Sequence, residues 1–171
     1  MSNHKGLVEP HILLASANPQ RLIKNLSHIL SPDQLKLIEV EVNNNVRSLY
    51  GLGEAHYEFA IKINKREWRQ IVSRLYYAAY NFKRALGLKS DGTYSTDSGD
   101  HQKIDQLPKA LENAEAYKLQ LKNLRDDRNL ADYSHSAVEE DLLGATEETT
   151  VLVTNFMNDV KAFLIERGVD L

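Results

Sequence analysis

The sequence predicts an all-α fold, on two observations. From Glu67 to Leu88 the apolar residues Ile71, Leu75, Ala78, Phe82 and Leu86 fall on one helical stripe, with no proline inside it and Gly87 near its end. Helix-start signals also recur along the chain, at Asn18-Pro19, at Ser31-Pro32-Asp33 and at the Ser136-to-Glu139 capping box. Only Ile38 to Val42 (IEVEV) alternates with a strand's period of two. No partner strand or hairpin turn lies near it, so helix is expected there as well.

Taken in order, Asn18-Pro19 opens a short amphipathic helix through Leu22, Leu26 and Ile29, and a second helix starts from about Pro32. Gly51 and Gly53 are expected to break or bend it, after which Ala55, Phe59 and Ile63 mark one face. The Glu67–Leu88 helix is expected at the centre of the core. Residues 90–99 (SDGTYSTDSG) read as a polar, turn-rich loop. His101 to Leu111 reads as a short helix disturbed by Pro108, and Ala114 to about Tyr133 as a longer one carrying Tyr117, Leu121 and Leu124 inward. The Ser136 box then starts a last helix to Glu166, closed by Gly168. Its expected buried side holds Leu142, Val151, Val153, Phe156, Val160, Phe163 and Leu164.

The chain has 171 residues, 42% hydrophobic and 26% charged, which suits one soluble domain with a real core rather than a disordered chain. Without cysteine, disulfides and thiolate metal sites are excluded. The N-terminal apolar patch HILLASA is too short for a signal sequence, and nowhere do about eighteen apolar residues run together, so a cytoplasmic protein with no membrane partner is expected.

The net charge of −3 argues against wholesale nucleic-acid binding, but the charge is polarised. Residues 61–90 hold eight Lys or Arg against one acid; residues 132–171 hold two against nine acids. Two readings stay open: a basic face for phosphate, or two complementary segments packed against each other.

The stretch RDDRNLADYSHSAVEE, from Arg125 to Glu140, gathers the candidate chemistry. On a straight helix Arg128 and His135 share a side, about 10 Å apart along the axis, with Asp132 between them. If the helix breaks where the capping box implies, His135 lies just outside the next helix's N-terminus. That positive end favours a neutral imidazole, as a general base beside an arginine phosphate anchor requires. The plain alternative for Arg128 is an i, i+4 surface pair with Asp132, worth about a few tenths of a kcal/mol. With nine arginines and six histidines, chance supplies about one such pair, and Arg21 with His28 is a second. Asp126, Asp127 and Asp132 are too scattered around one helix to form a metal site, so no metal or cofactor is expected.

The run SRLYYAAYNFKRALGL (Ser73–Leu88), the segment DHQKIDQLPKAL, and LRDDRNLADYSHSAVEEDLLGATEE occur in an order that resembles the HEPN family of small helical domains, over roughly residues 54–166. The resemblance implies a four- to five-helix bundle, here residues 33–168, with residues 1–32 as an extra N-terminal helical extension. It also implies a homodimer and, in many members, a metal-independent ribonuclease. Arg128, Asn129 and His135 match that family's catalytic pattern at its longest spacing, with Asp132, Tyr133 and Arg125 in support. Across the dimer, a histidine would take the 2′-hydroxyl proton while arginines hold the scissile phosphate, leaving a 2′,3′-cyclic phosphate.

Three functions follow. The first is an RNA-cleaving toxin or defence effector, which has a nucleotidyltransferase-type antitoxin as one candidate partner. The second is a non-catalytic module that binds RNA or nucleotide, or serves a minimal nucleotidyltransferase; the ADY form, at Ala131 to Tyr133, is that of branches lacking the histidine. The third is a helical adaptor docking another protein. Arg74 and Arg84 are candidates to extend an RNA surface or, equally, solvated polar residues. Tyr76, Tyr77 and Tyr80 are expected to pack rather than stack on bases, and His101 to cap a helix or lie on the surface.

Overall fold

The computed structural model describes residues 16–90 and 98–171, which form five α-helices and no strand. The first helix, α1 (Pro19–Leu26), begins where the Asn18 side chain accepts the Arg21 N–H at 2.8 Å. The second, α2 (Pro32–Lys62), opens with the reciprocal bonds of a capping box: Gln34 N–H to the Ser31 hydroxyl at 3.3 Å, and Ser31 N–H to Gln34 Oε1 at 2.9 Å. Ile38 to Val42 lie inside α2, as helix.

Gly51 and Gly53 do not break α2. Gly53 is a packing notch: a Cβ there would lie 2.6 Å from Phe82 Cε1 and 3.1 Å from the Ala78 carbonyl. The buried seam of α2 therefore runs through Val42, Val46, Tyr50, Gly53 and Ala60, where small residues admit the neighbouring helix. The face expected through Ala55 and Phe59 points outward, and Phe59 is 54% exposed.

The central helix, α3 (Trp68–Ser90), buries its whole predicted stripe and packs against α2 and both later helices. It continues through Gly87, with Ser90 Oγ donating to the Leu86 carbonyl. Of the expected loop, residues 91–97 lie outside the described residues. Ser98–Lys103 then makes a short 3-10 turn, and the helix expected from His101 to Leu111 does not form beyond it. Pro108 has no N–H to give and disfavours a helical Leu107. Ile104, Leu107 and Leu111 are nonetheless buried as an irregular strap.

Next comes α4 (Ala114–Tyr133), entered through Asn113 in the left-handed region (φ 58°), whose side chain donates to Asp159 at 3.1 Å. The last helix is α5 (Thr146–Glu166), starting ten residues later than the Ser136 box predicts. Two side chains peg the intervening segment outside any α-helix, although it makes a short 3-10 turn at Glu139–Asp141. Arg69 donates to the carbonyls of Ala131, Ser134 and Ala137 at 2.6 to 2.8 Å. Asp127, 3% exposed, accepts the N–H groups of Leu143 and Gly144 at 2.7 and 3.2 Å. Val153, Phe156, Val160, Phe163 and Leu164 are buried as expected, whereas Val151 is 59% exposed, on the outward side of α5.

Gly168 (φ 76°) ends α5 and lets Val169 fold back, its N–H reaching the Leu164 carbonyl at 3.0 Å. Among the described residues no helix is long and apolar enough to cross a membrane.

Candidate functional site

On α4, Tyr117, Leu121 and Leu124 point into the core, and the same helical stripe continues through Arg128 to Ala131. An arginine is thus delivered to a core-facing position at the end of the bundle, where its side chain keeps only 14% exposure. The tyrosines of α3 make room for it. Its guanidinium carbon lies 5.4 Å from the Tyr76 ring centre, 5.3 Å from Tyr77 and 5.5 Å from Tyr133, so aromatic faces wall the cation on three sides. One terminal nitrogen donates to the Tyr77 hydroxyl and the other to Asn129 Oδ1 at 3.1 Å. Nε sits 2.8 Å from Asp132 Oδ2, an ion pair whose N–H is not aligned as a hydrogen bond.

Arg128, Asn129 and Tyr133 border an open cleft of about 840 Å³, shared with Arg125, Lys122 and Asp105. Arg125 is bound to Asp126 at 2.8 and 3.0 Å and leans toward the Gln102 carbonyl. Tyr76, with His101 and Gln102 of the 3-10 turn, completes the lining. That turn is fixed from below: Lys83 pairs with Asp100 at 3.6 Å, both side chains largely buried, and the Tyr80 hydroxyl donates to Asp100 Oδ2 at 2.9 Å. Beside it the His101 ring stacks on Tyr80, centres 4.1 Å apart, and Nδ1 lies 2.7 Å from the Tyr76 hydroxyl. Burial, and then the positive charge of Arg128, holds His101 below the usual imidazole range. Burial likewise pushes the Tyr76 phenol far up, so it remains a neutral hydroxyl.

Of the residues singled out in the sequence, the fold therefore joins Arg128, Asn129, Tyr133 and Arg125 around one cleft, with Asp132 against Arg128. His135 stands apart from the cleft lining, exposed on the segment after α4, and makes no side-chain hydrogen bond among the described residues. Arg74 and Arg84 also lie outside the lining. Arg74 sits over the Phe59 ring at 5.2 Å, with His56 Nδ1 at 3.4 Å, and Arg84 over Tyr80 at 5.5 Å. Arg21 and His28 lie on and just after α1, a helix packed on α2.

The three aspartates near Arg128 point to different partners: Asp126 to Arg125, Asp127 to the loop, Asp132 to Arg128. Among the described residues no group of three or more His, Cys, Asp or Glu is placed to hold a metal ion. The polarised charge is joined only in part: Lys65 meets Glu147 at 3.1 Å, while Lys83 and Lys89 pair with Asp100 and Glu39, outside the acidic C-terminal segment.

Sequence reasoning gave His101 only a capping or surface role and Tyr76 and Tyr77 only a packing one, and did not weigh Lys122. The available signal was Asp100-His101 following a tyrosine set at i, i+1 and i+4, which the 3-10 turn sets against α3. Compared with known protein families, curated proteins and solved structures, the chain matches none.

Proposed function

We propose that the protein is a HEPN-type RNA-binding domain whose cleft holds the phosphodiester backbone of a single strand at Arg128. One observation carries the reading: a fixed guanidinium, walled by tyrosine rings, opens onto a groove shared with Arg125, Lys122 and Asn129. Arginine gives a phosphate two parallel charge-assisted bonds, and the exposed ring of Tyr133 at the cleft offers a face on which a base can stack without sequence preference. Asp126 and Asp132 hold the arginines in place and must yield part of that contact to a bound anion.

Fluorescence anisotropy with a labelled single-stranded RNA tests this. Wild type should bind with salt-dependent affinity, and Arg128→Ala should bind about tenfold or more weakly, as loss of a charge-assisted anchor predicts. Arg21→Ala and His28→Ala should change nothing. An Arg128→Ala protein that is folded and binds as well as wild type would remove the reading.

A second reading is metal-independent cleavage at a composite site in a homodimer, with His135 as general base. The exposed imidazole just past the helix that carries Arg128, without a side-chain hydrogen bond among the described residues, favours it. Cleavage of RNA in a chelator, lost in His135→Ala, is its signature. A nucleotidyltransferase-type antitoxin, or another protein, would then be the regulating partner.

A further inference from the structure

We propose that His101 is a second phosphate ligand of the cleft, donating from Nε2 to the bound strand beside Arg128. The inference rests on the RNA-binding reading and adds a residue that the Arg-to-His pattern of α4 does not contain. Three contacts support it. The ring lines the same cleft as Arg128, and both side chains meet Tyr76. Its Nδ1 is taken by the Tyr76 hydroxyl at 2.7 Å, which leaves Nε2 as the ring nitrogen available to a ligand. Its plane is fixed by stacking on Tyr80, 4.1 Å between centres and 23° apart, on a turn anchored by the Lys83–Asp100 pair. Such a ring is held in one orientation before any ligand arrives, so little order is lost on binding.

The charges around it decide how it behaves. Lys83 and Arg84 approach from α3, and Arg125 and Arg128 line the same cleft from α4. The acids are Asp100 on its own turn and Asp105 on the cleft rim, with Lys103 nearby and Tyr76 and Tyr80 as neutral phenols. In this setting the unliganded imidazole is neutral at pH 7, held so by burial first and by Arg128 next. A phosphodiester placed between the two side chains neutralises Arg128 and accepts a bond from Nε2, and both effects favour the protonated ring. Binding and protonation are therefore linked: RNA takes up a proton with it, and affinity rises as the pH falls toward 6. Each unit by which binding raises this pKa appears as about a tenfold gain in affinity at low pH.

The test uses the full chain and an oligouridylate without terminal phosphates, whose diesters and bases do not titrate between pH 6 and 8. Titration calorimetry at pH 6.5 in buffers of different ionisation enthalpy reads the proton uptake directly. Wild type should take up a sizeable fraction of a proton and bind about tenfold more tightly at pH 6 than at pH 8. His101→Gln keeps a donor but cannot be protonated, so it should bind like wild type at pH 8 while losing both the uptake and the pH dependence. His101→Phe keeps the stack on Tyr80 and should bind weakly at every pH. His135→Ala should retain the wild-type uptake. If His101→Gln takes up the proton as wild type does, or if wild-type binding is independent of pH, the His101 assignment is overturned while RNA binding at Arg128 stands. If the oligouridylate does not bind at all, the RNA-binding reading itself falls, and this assignment with it.

Discussion

Arg128 donates to the Tyr77 hydroxyl while its guanidinium lies against the same residue's ring, 5.3 Å from the ring centre. One tyrosine on α3 thus both holds and shields the cation presented by α4, and ties together the two helices that form the cleft. Tyr77→Phe keeps the ring and removes the hydroxyl, leaving a largely enclosed N–H without its partner. A loss of about 1 to 2 kcal/mol is expected in urea denaturation. A change within error would mean that solvent replaces the bond freely.

The notch at Gly53 should be intolerant of any side chain. Gly53→Ala places a methyl 2.6 Å from the Phe82 ring and should cost about 1 to 3 kcal/mol, although alanine is the better helix former. Gly51, with open space around its Cα, is the control: Gly51→Ala should be neutral or stabilising by up to about 1 kcal/mol. Phe82→Ala, opening the same contact from the other side, should cost about 3 to 5 kcal/mol, and Leu75→Ala about 2 to 5.

Asp127→Ala removes the acceptor for two backbone N–H groups in the segment between α4 and α5. About 1 to 3 kcal/mol should be lost, with faster hydrogen exchange at Leu143 and Gly144 ahead of the rest of the bundle. Uniform exchange changes across the chain would show that the carboxylate holds more than this segment.

Two histidines make the fold sensitive to mild acid. Burial and then Arg74 lower the pKa of His56, as burial and then Arg128 lower that of His101, from the ordinary 6.5. The unfolded chain therefore takes up protons that the folded chain refuses. Their contribution to stability is complete above about 6.5 and declines as the pH falls through the lowered folded values. Urea midpoints measured from pH 8 to 5 should fall, and a double His56→Gln/His101→Gln variant should flatten the slope between 7 and 5. An unchanged slope would place the acid sensitivity elsewhere.

Sedimentation should give a species of twice 19.5 kDa at micromolar concentration if the composite site of the second reading exists. A monomer that still cleaves RNA would exclude a site built from two copies.

Local signals in the sequence were enough for the helix starts. Asn18-Pro19 and Ser31-Pro32 satisfy their own backbone donors, so the caps form wherever the chain goes, and both appear as expected. The stripe of α3 was legible for a related reason: a helix surrounded by neighbours buries whichever face is continuous and apolar. Arg128, Asn129 and Tyr133 could be picked out together because they lie within two turns of one helix.

Tertiary structure decided what depends on a partner. The box at Ser136 offers a helix start worth about 1 kcal/mol. Arg69 and Asp127 together make five bonds that require the same segment to stay open, and α5 begins only at Thr146. The glycines of α2 looked like breakers because a sequence shows flexibility and not the helix that will press against it; Phe82 turns Gly53 into a contact. His101 stands beside Arg128 although 27 residues separate them in the chain, because the buried Lys83–Asp100 pair fixes the turn against α3. Propensity and capping act within about one helical turn, and so the sequence determined by itself where most helices begin and which residues of α4 carry the charge. Which faces are buried, and which residues from distant segments meet in the cleft, were set by contacts that exist only once the chain has folded.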